Sequence, residues 1–319
     1  MPLRAPSIGL SGLVLVTTAL AAALAWGQPG PLELRPRWKA GETRAMELVR
    51  HRDQTRDAGP ARRVTTRSSI DIRVLAVDAD VSIVEWKMGE VRFDDAEETK
   101  EPGVAELLGM GHHVRYELEV DAAGTIRRLR NWTEVRDLAR GATTRLLEQL
   151  RLRGVTGQTR SAISERIAAL YRSEEQILGY SLKEASLYHA AFGKRFAMSV
   201  PIRSSELLRN PLGGEPLPAD TSLTLTRLDE APRAAVIEWK QSLEPEATRR
   251  IVLRSLTDLA ARMRKQPPSE ANLPSVTIDG RAEIVVDPET GWLTSLRMER
   301  TARMARAIQT DASTLSERR

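Results

Sequence analysis

Apolar and polar residues alternate from Val64 to Val77. Ile70, Ile72, Val74 and Ala76 share one side, and Ser69, Asp71 and Arg73 share the other. A period of two marks a strand with one buried face. Similar runs predict strands over Glu42–Arg50, Val81–Met88, His112–Val120 and Thr125–Trp132. Later in the chain they predict strands over Phe196–Ile202, Thr221–Leu228, Ala234–Lys240, Val276–Val286 and Trp292–Met304. Turn residues separate them. Asp78-Ala79-Asp80 closes one hairpin, and Asp121 with Gly124 suits a type I turn whose glycine takes a positive φ. Asp287-Pro288-Glu289-Thr290-Gly291 places proline where φ near −65° is wanted.

The period changes in the middle of the chain. Val135, Leu138, Ala139, Ala142, Leu146 and Leu150 recur at helical spacing and predict a helix over Glu134–Arg153, broken by Gly154 and Gly157. Ile163, Ile167, Leu170 and Tyr171 predict a second helix over Ser161–Arg172. Ser173 followed three residues later by Gln176 resembles a capping box and opens a third helix running to about Phe192. Pro245–Lys265 is an amphipathic helix with Ile251, Leu253, Leu256, Leu259, Ala260 and Met263 apolar, ended by Pro267-Pro268. Val104–Met110 reads as one short helix. The polar stretch from Gln309 is expected to fray.

One tetrapeptide pattern occurs twice. Val84-Glu85-Trp86-Lys87 returns as Ile237-Glu238-Trp239-Lys240, and each copy is followed, after an insert, by a hairpin with Asp at its turn. The reading is a diverged internal duplication. Each Trp falls on the opposite strand face from its Glu and Lys, as a core Trp between two solvated charges would. The expected divisions are residues 1–27, a signal peptide; 28–133, a first β-rich unit; 134–195, a helical middle; 196–308, a second β-rich unit; and 309–319, a polar tail. The fold class is α+β: two related antiparallel β-sheet units with packed helices. One long curved sheet is an arrangement open to them.

Composition narrows the compartment and the chemistry. Ile8 to Leu24 is an apolar run, and Ala25-Trp26-Gly27 has the small-x-small form of a secretory cleavage site, with the cut before Gln28. The run is short for a membrane span, so no stable span is expected after cleavage. The expected location is the periplasm or the outside of a bacterial cell. There is no cysteine in the chain, which excludes disulfides, thiol catalysis and cysteine-ligated metals. Lys+Arg 48 against Asp+Glu 43 gives +5, with the two signs mixed along most segments. A nucleic-acid partner is not expected, because such proteins gather basic residues on one face.

Motifs for catalysis are missing from the linear sequence. His51, His112, His113 and His189 show no metal-ligand spacing, and neighbouring strand residues His112 and His113 point to opposite faces. The acidic run Asp94-Asp95-Ala96-Glu97-Glu98 lacks EF-hand spacing. No Gly-x-Ser-x-Gly elbow or phosphate loop occurs. The reading is therefore no enzyme, no cofactor and no metal.

The signal, the Trp38-Lys39-Ala40-Gly41-Glu42 opening, the repeated Glu-Trp-Lys strand and the Asp…Gly hairpins resemble uncharacterised exported bacterial proteins of duplicated antiparallel-sheet type. They are more distantly similar to periplasmic lipoprotein-carrier half-barrels. That resemblance transfers no catalytic residue. The function expected is a non-enzymatic envelope protein that holds an apolar or amphipathic ligand, or a partner protein, in a sheet–helix groove. Trp86, Tyr116, Trp239 and Trp292 are the candidate lining residues. The alternatives are a structural or assembly factor acting through sheet edges, and a hydrolase whose site forms only on folding.

Overall fold

The computed structural model describes residues 30–56, 61–94, 114–208, 210, 214–262, 264, 266, 269, 273–305 and 307–318. The expected signal peptide, the helix over Val104–Met110, His112, His113 and most of the acidic run lie outside them. The strands are β1 (Leu32–Glu33), β2 (Thr43–Arg56), β3 (Arg62–Val77), β4 (Val81–Phe93), β5 (Arg115–Asp121), β6 (Ile126–Leu129), β7 (Arg195–Phe196), β8 (Ile202–Leu208), β9 (Leu217–Glu230), β10 (Arg233–Leu243), β11 (Val276–Val286), β12 (Leu293–Met304) and β13 (Ala307–Glu317). The helices are α1 (Trp132–Leu152), α2 (Gly157–Leu170), α3 (Glu174–Ser181), α4 (Lys183–His189) and α5 (Pro245–Arg262).

The fold is α+β, and one antiparallel sheet of eleven strands dominates it, in the order β6-β5-β4-β3-β2-β13-β12-β11-β10-β9-β8. Every neighbour along it is antiparallel. The order holds two runs of five strands, β6 to β2 and β12 to β8, with β13 between them. Within each run the Glu-Trp-Lys strand has the same neighbours in register. Trp86 lies opposite Tyr116, with Glu85 opposite Glu117 and Lys87 opposite Arg115. Trp239 lies opposite Ala282, with Glu238 opposite Glu283 and Lys240 opposite Arg281.

The C-terminal stretch does not fray. It is β13, which joins the two halves by pairing with β12 on one side and β2 on the other. Its sequence is polar because only Ser313 and Leu315 are fully buried, and polar side chains face one another across the strands at Thr301–Thr310 and Gln54–Gln309. A polar strand in mid-sheet carries little periodic signal.

The helices pack on one face of the sheet. A single apolar cluster draws on Trp86 and Tyr116 near one end, Leu48, Leu315 and Leu296 in the middle, and Ile237 and Leu225 towards the other end. The same cluster includes Ile177 of α3, Ala185 and Tyr188 of α4, and Leu182 between them. Burial on one side only gives the period-two pattern of β3, β4 and β11. A second, smaller cluster of Leu217, Ala219, Leu243, Ile251 and Ile278 packs α5 onto the far part of the same face.

Local chemistry sets the helices. Ser173 caps α3, accepting from the Gln176 backbone N–H at 3.3 Å, which leaves one fewer orphan donor at the helix start. The expected single helix to Phe192 is broken at Leu182, whose φ and ψ of −121° and 32° are not helical. Pro245 opens α5 at the one helical position where a missing N–H is harmless. Both hairpin turns form as anticipated. The Asp121 carboxylate accepts from the N–H groups of Ala123 and Thr125, and that of Asp287 accepts from the N–H of Glu289 and the hydroxyl of Thr290. Each turn ends on a positive-φ glycine packed against another part of the chain. Gly124 lies against Phe192, and Gly291 against the Arg35–Pro36 backbone.

A candidate binding site on the inner face

The four predicted lining residues do not converge. Trp86 is 1% exposed and Tyr116 5% exposed, opposite each other under α3. Trp292 is 4% exposed, its ring 5.3 Å from that of Trp38, and its indole N–H donates to Glu42 at 3.0 Å. These three fill the core. Burial holds the Tyr116 hydroxyl at a pKa of about 12, so it is neutral throughout the physiological range. Trp239 is different: it is only partly buried. It lies six strand positions from Trp86, about 29 Å along the sheet at ~4.8 Å per strand.

Trp239 borders a polar seam that crosses the inner face between the two apolar clusters. Strand register defines it. Thr221, Gln241, Gly280, Arg300, Asp311 and Arg52 lie opposite one another in turn, on β9, β10, β11, β12, β13 and β2. The next row on the same face is Leu223, Trp239, Ala282, Met298, Ser313 and Arg50. Gly280 is small for a reason: a Cβ there would sit 2.8 Å from the Trp239 ring, which lies across it.

Charged groups gather where the seam meets α4. Arg50 makes a two-pronged ion pair with Glu184, at 3.1 Å and 2.7 Å, tying the helix to β2. Burial pushes the Glu184 carboxyl up, and Arg50 with Lys183 more than reverses this, so its pKa lies below the usual carboxylate value. Asp311 accepts from Arg52 at 2.6 Å and from Gln309 at 2.7 Å. Burial would raise its pKa, and these partners and Lys183 bring it below the ordinary value. Lys183 is 4.0 Å from Glu184 and feels Asp311 and Arg52 as well. Arg300 feels Asp311 and Glu206 but makes no hydrogen bond or ion pair with any described residue. Burial lowers the pKa of both Lys183 and Arg300. Gln241 donates to Glu206, while its own side-chain oxygen and the Ser313 hydroxyl are buried with no partner among the described residues.

None of these charged residues was anticipated as a site from the sequence. The faint signal is a shift from apolar to polar at constant parity. Met46 and Leu48 are followed by Arg50 and Arg52, Leu296 and Met298 by Arg300, and Leu315 is preceded by Ser313 and Asp311. Each shift alone looks like a strand end. Only the register shows that they share two adjacent rows.

The outer face carries a different surface. Glu238, Arg281, Glu283, Arg297, Glu299 and Thr314 border an open depression of about 500 Å³, partly neutralised by an Arg281–Glu299 ion pair at 3.1 Å. Among the described residues no three His, Asp or Glu side chains converge as a metal site, and no helix is long and apolar enough to cross a membrane. His189 is 2% exposed inside an aromatic cluster, far into the core. No protein-family model and no curated protein matches the sequence.

Proposed function

We propose that this is an exported bacterial envelope protein that holds an amphipathic ligand non-covalently on the inner face of its sheet, between α4 and α5. The observation that carries this reading is the gap between the two apolar clusters. There an aromatic ring, Trp239, stays partly open near half-buried cations, whereas the corresponding Trp86, opposite Tyr116, is 1% exposed. Binding sites of this kind combine apolar walls with a few placed polar groups. The apolar run before Gln28 supports export, and the equal register around the two Glu-Trp-Lys strands supports a duplicated unit whose second copy opened to take a ligand.

A specific feature favours a second reading, a partner engaged through a sheet edge. At one edge the Leu129 N–H is capped by the Glu174 carboxylate, at 2.5 Å. At the other, β8 is an exposed strand with Leu207 70% exposed, and an open edge can accept an added strand.

Native mass spectrometry of the protein taken from its own periplasm, followed by denaturing extraction, separates the two. A lipid or other amphiphile near one per chain is the expected result. A clean apo mass with a crosslinked partner on β8 would replace the first reading by the second.

A further inference from the structure

The seam holds more positive than negative charge, and two of its cations, Lys183 and Arg300, are partly buried. Arg50, Arg52, Lys183 and Arg300 bring four cations, and Glu184, Asp311 and Glu206 bring three carboxylates. The carboxylates are already committed. Glu184 is held by both prongs of Arg50, Asp311 by Arg52 and Gln309, and Glu206 by Gln241. Arg300 therefore keeps its guanidinium donors unused among the described residues, and the Lys183 ammonium has only the 4.0 Å contact with Glu184. A partly desolvated cation is stabilised by an anion that can accept its hydrogen bonds, and a guanidinium matches a two-oxygen acceptor. Both cations act on the same Asp311. Arg300 is two residues from Met298, whose cross-strand neighbour is Ala282, and Ala282 in turn lies opposite Trp239.

We infer that Arg300 and Lys183 form an oxyanion site that receives the carboxylate or phosphate head of an amphiphile, with the chain running over Trp239. This rests on the ligand-binding reading above and specifies the ligand's head group. The head would complete the hydrogen bonding of Arg300 without displacing the Arg50–Glu184 pair that anchors α4.

The test uses the mature full-length chain and three probes: a sixteen-carbon carboxylic acid, the alcohol of the same length, and inorganic phosphate. Titration calorimetry is run on the native protein and on Arg300→Met, Lys183→Met and Arg300→Lys. The expected result is about tenfold or more tighter binding of the acid than of the alcohol, the span of a charged hydrogen bond. Arg300→Met and Lys183→Met should erase most of that preference with alcohol affinity unchanged, and Arg300→Lys should recover part of it. The melting temperature of unliganded Arg300→Met should stay level or rise, because an unpaired charge is removed, whereas a structural arginine would lower it on removal. Equal binding of acid and alcohol to the native protein overturns the head-group site and leaves the ligand reading standing. So does a preference that survives both substitutions. Phosphate bound in an Arg300-dependent way, with neither amphiphile bound, keeps the oxyanion site and removes the lipid source. No binding of any probe removes both.

Discussion

His189 should make the protein lose stability on mild acidification. The imidazole sits at the end of α4, with ring centres 4.9 Å from Tyr188 and 5.9 Å from each of Trp38 and Phe192. Its Nδ1 is 2.8 Å from the Gly124 carbonyl oxygen. A carbonyl only accepts, so Nδ1 carries the proton of the neutral ring and Nε2 is left buried without a partner among the described residues. Burial lowers the His189 pKa from 6.5 to about 4, against the smaller opposing pull of the Gly124 carbonyl and the Asp121 carboxylate. The unfolded chain therefore takes up a proton first as pH falls. The contribution is complete above pH 6.5 and is lost progressively down to the folded value, where the loss levels off. Linkage gives about 2 kcal/mol lost by pH 5 and about 3 kcal/mol by pH 4. The assay is urea unfolding at intervals from pH 7.5 to 4.5 for the native protein and for His189→Asn, which keeps a short N–H donor and does not titrate. The variant is less stable at pH 7.5 because of the cavity. The gap between the two should shrink by about 2 kcal/mol at pH 5. A gap constant to within about 0.5 kcal/mol would refute the buried neutral imidazole, since a folded pKa of about 4 makes the change about 2 kcal/mol.

Other consequences follow from named contacts. Removing one partner of the Arg50–Glu184 pair, by Glu184→Gln or Arg50→Met, should cost about 3–5 kcal/mol because it leaves a buried charge; the double substitution should cost clearly less than the sum, and additivity in chemical denaturation would show the pair to be uncoupled. The pair also predicts a fall in stability as pH drops below the ordinary carboxylate range through the depressed Glu184 pKa, a fall absent in Glu184→Gln. Gly291→Ala should destabilise more than Gly41→Ala, since both have positive φ but only Gly291 would drive its Cβ to 2.8 Å from a backbone oxygen; the left-handed strain alone is worth about 1–2 kcal/mol, and equal melting temperatures would count against the clash. Truncation before Ala307 should abolish cooperative unfolding, because it removes the strand joining β12 to β2; a truncated chain with a native melting curve would contradict the sheet order.

The strands with one buried face were legible because burial and period coincide. Ile70, Ile72 and Val74 are all at or below 2% exposure, while Asp71 and Arg73 are exposed. The turn aspartates and the Ser173 cap were legible for a similar reason: each acts within a few residues of itself. Helix α1 was also readable, though Leu138, one of its periodic apolar residues, ends 51% exposed. What escaped the sequence depends on distant pairing. Strand β13 is polar, and only its neighbours β2 and β12 make it central. The seam needs Arg52, Asp311 and Arg300 to meet from three strands, two of them more than 240 residues from the first. Tryptophan was a poor guide to an open site because a large ring serves a sealed core equally well. Trp86 and Trp239 share a motif and a strand position, and they differ through what surrounds them: Tyr116 opposite in one case, Ala282 opposite and Gly280 against the ring in the other.

Whether an amphiphile attaches to the inner face is the most direct question. The protein is incubated with a long-chain carboxylic acid bearing a photoreactive group in its chain, irradiated, digested and mapped. Adducts on the peptides carrying Trp239, Gly280–Ala282 and Met298, suppressed by excess unlabelled acid, are the predicted result. Adducts confined to the outer face around Glu238 and Arg297 or to the β8 edge, or labelling that excess acid does not suppress, would contradict a ligand held on the inner face.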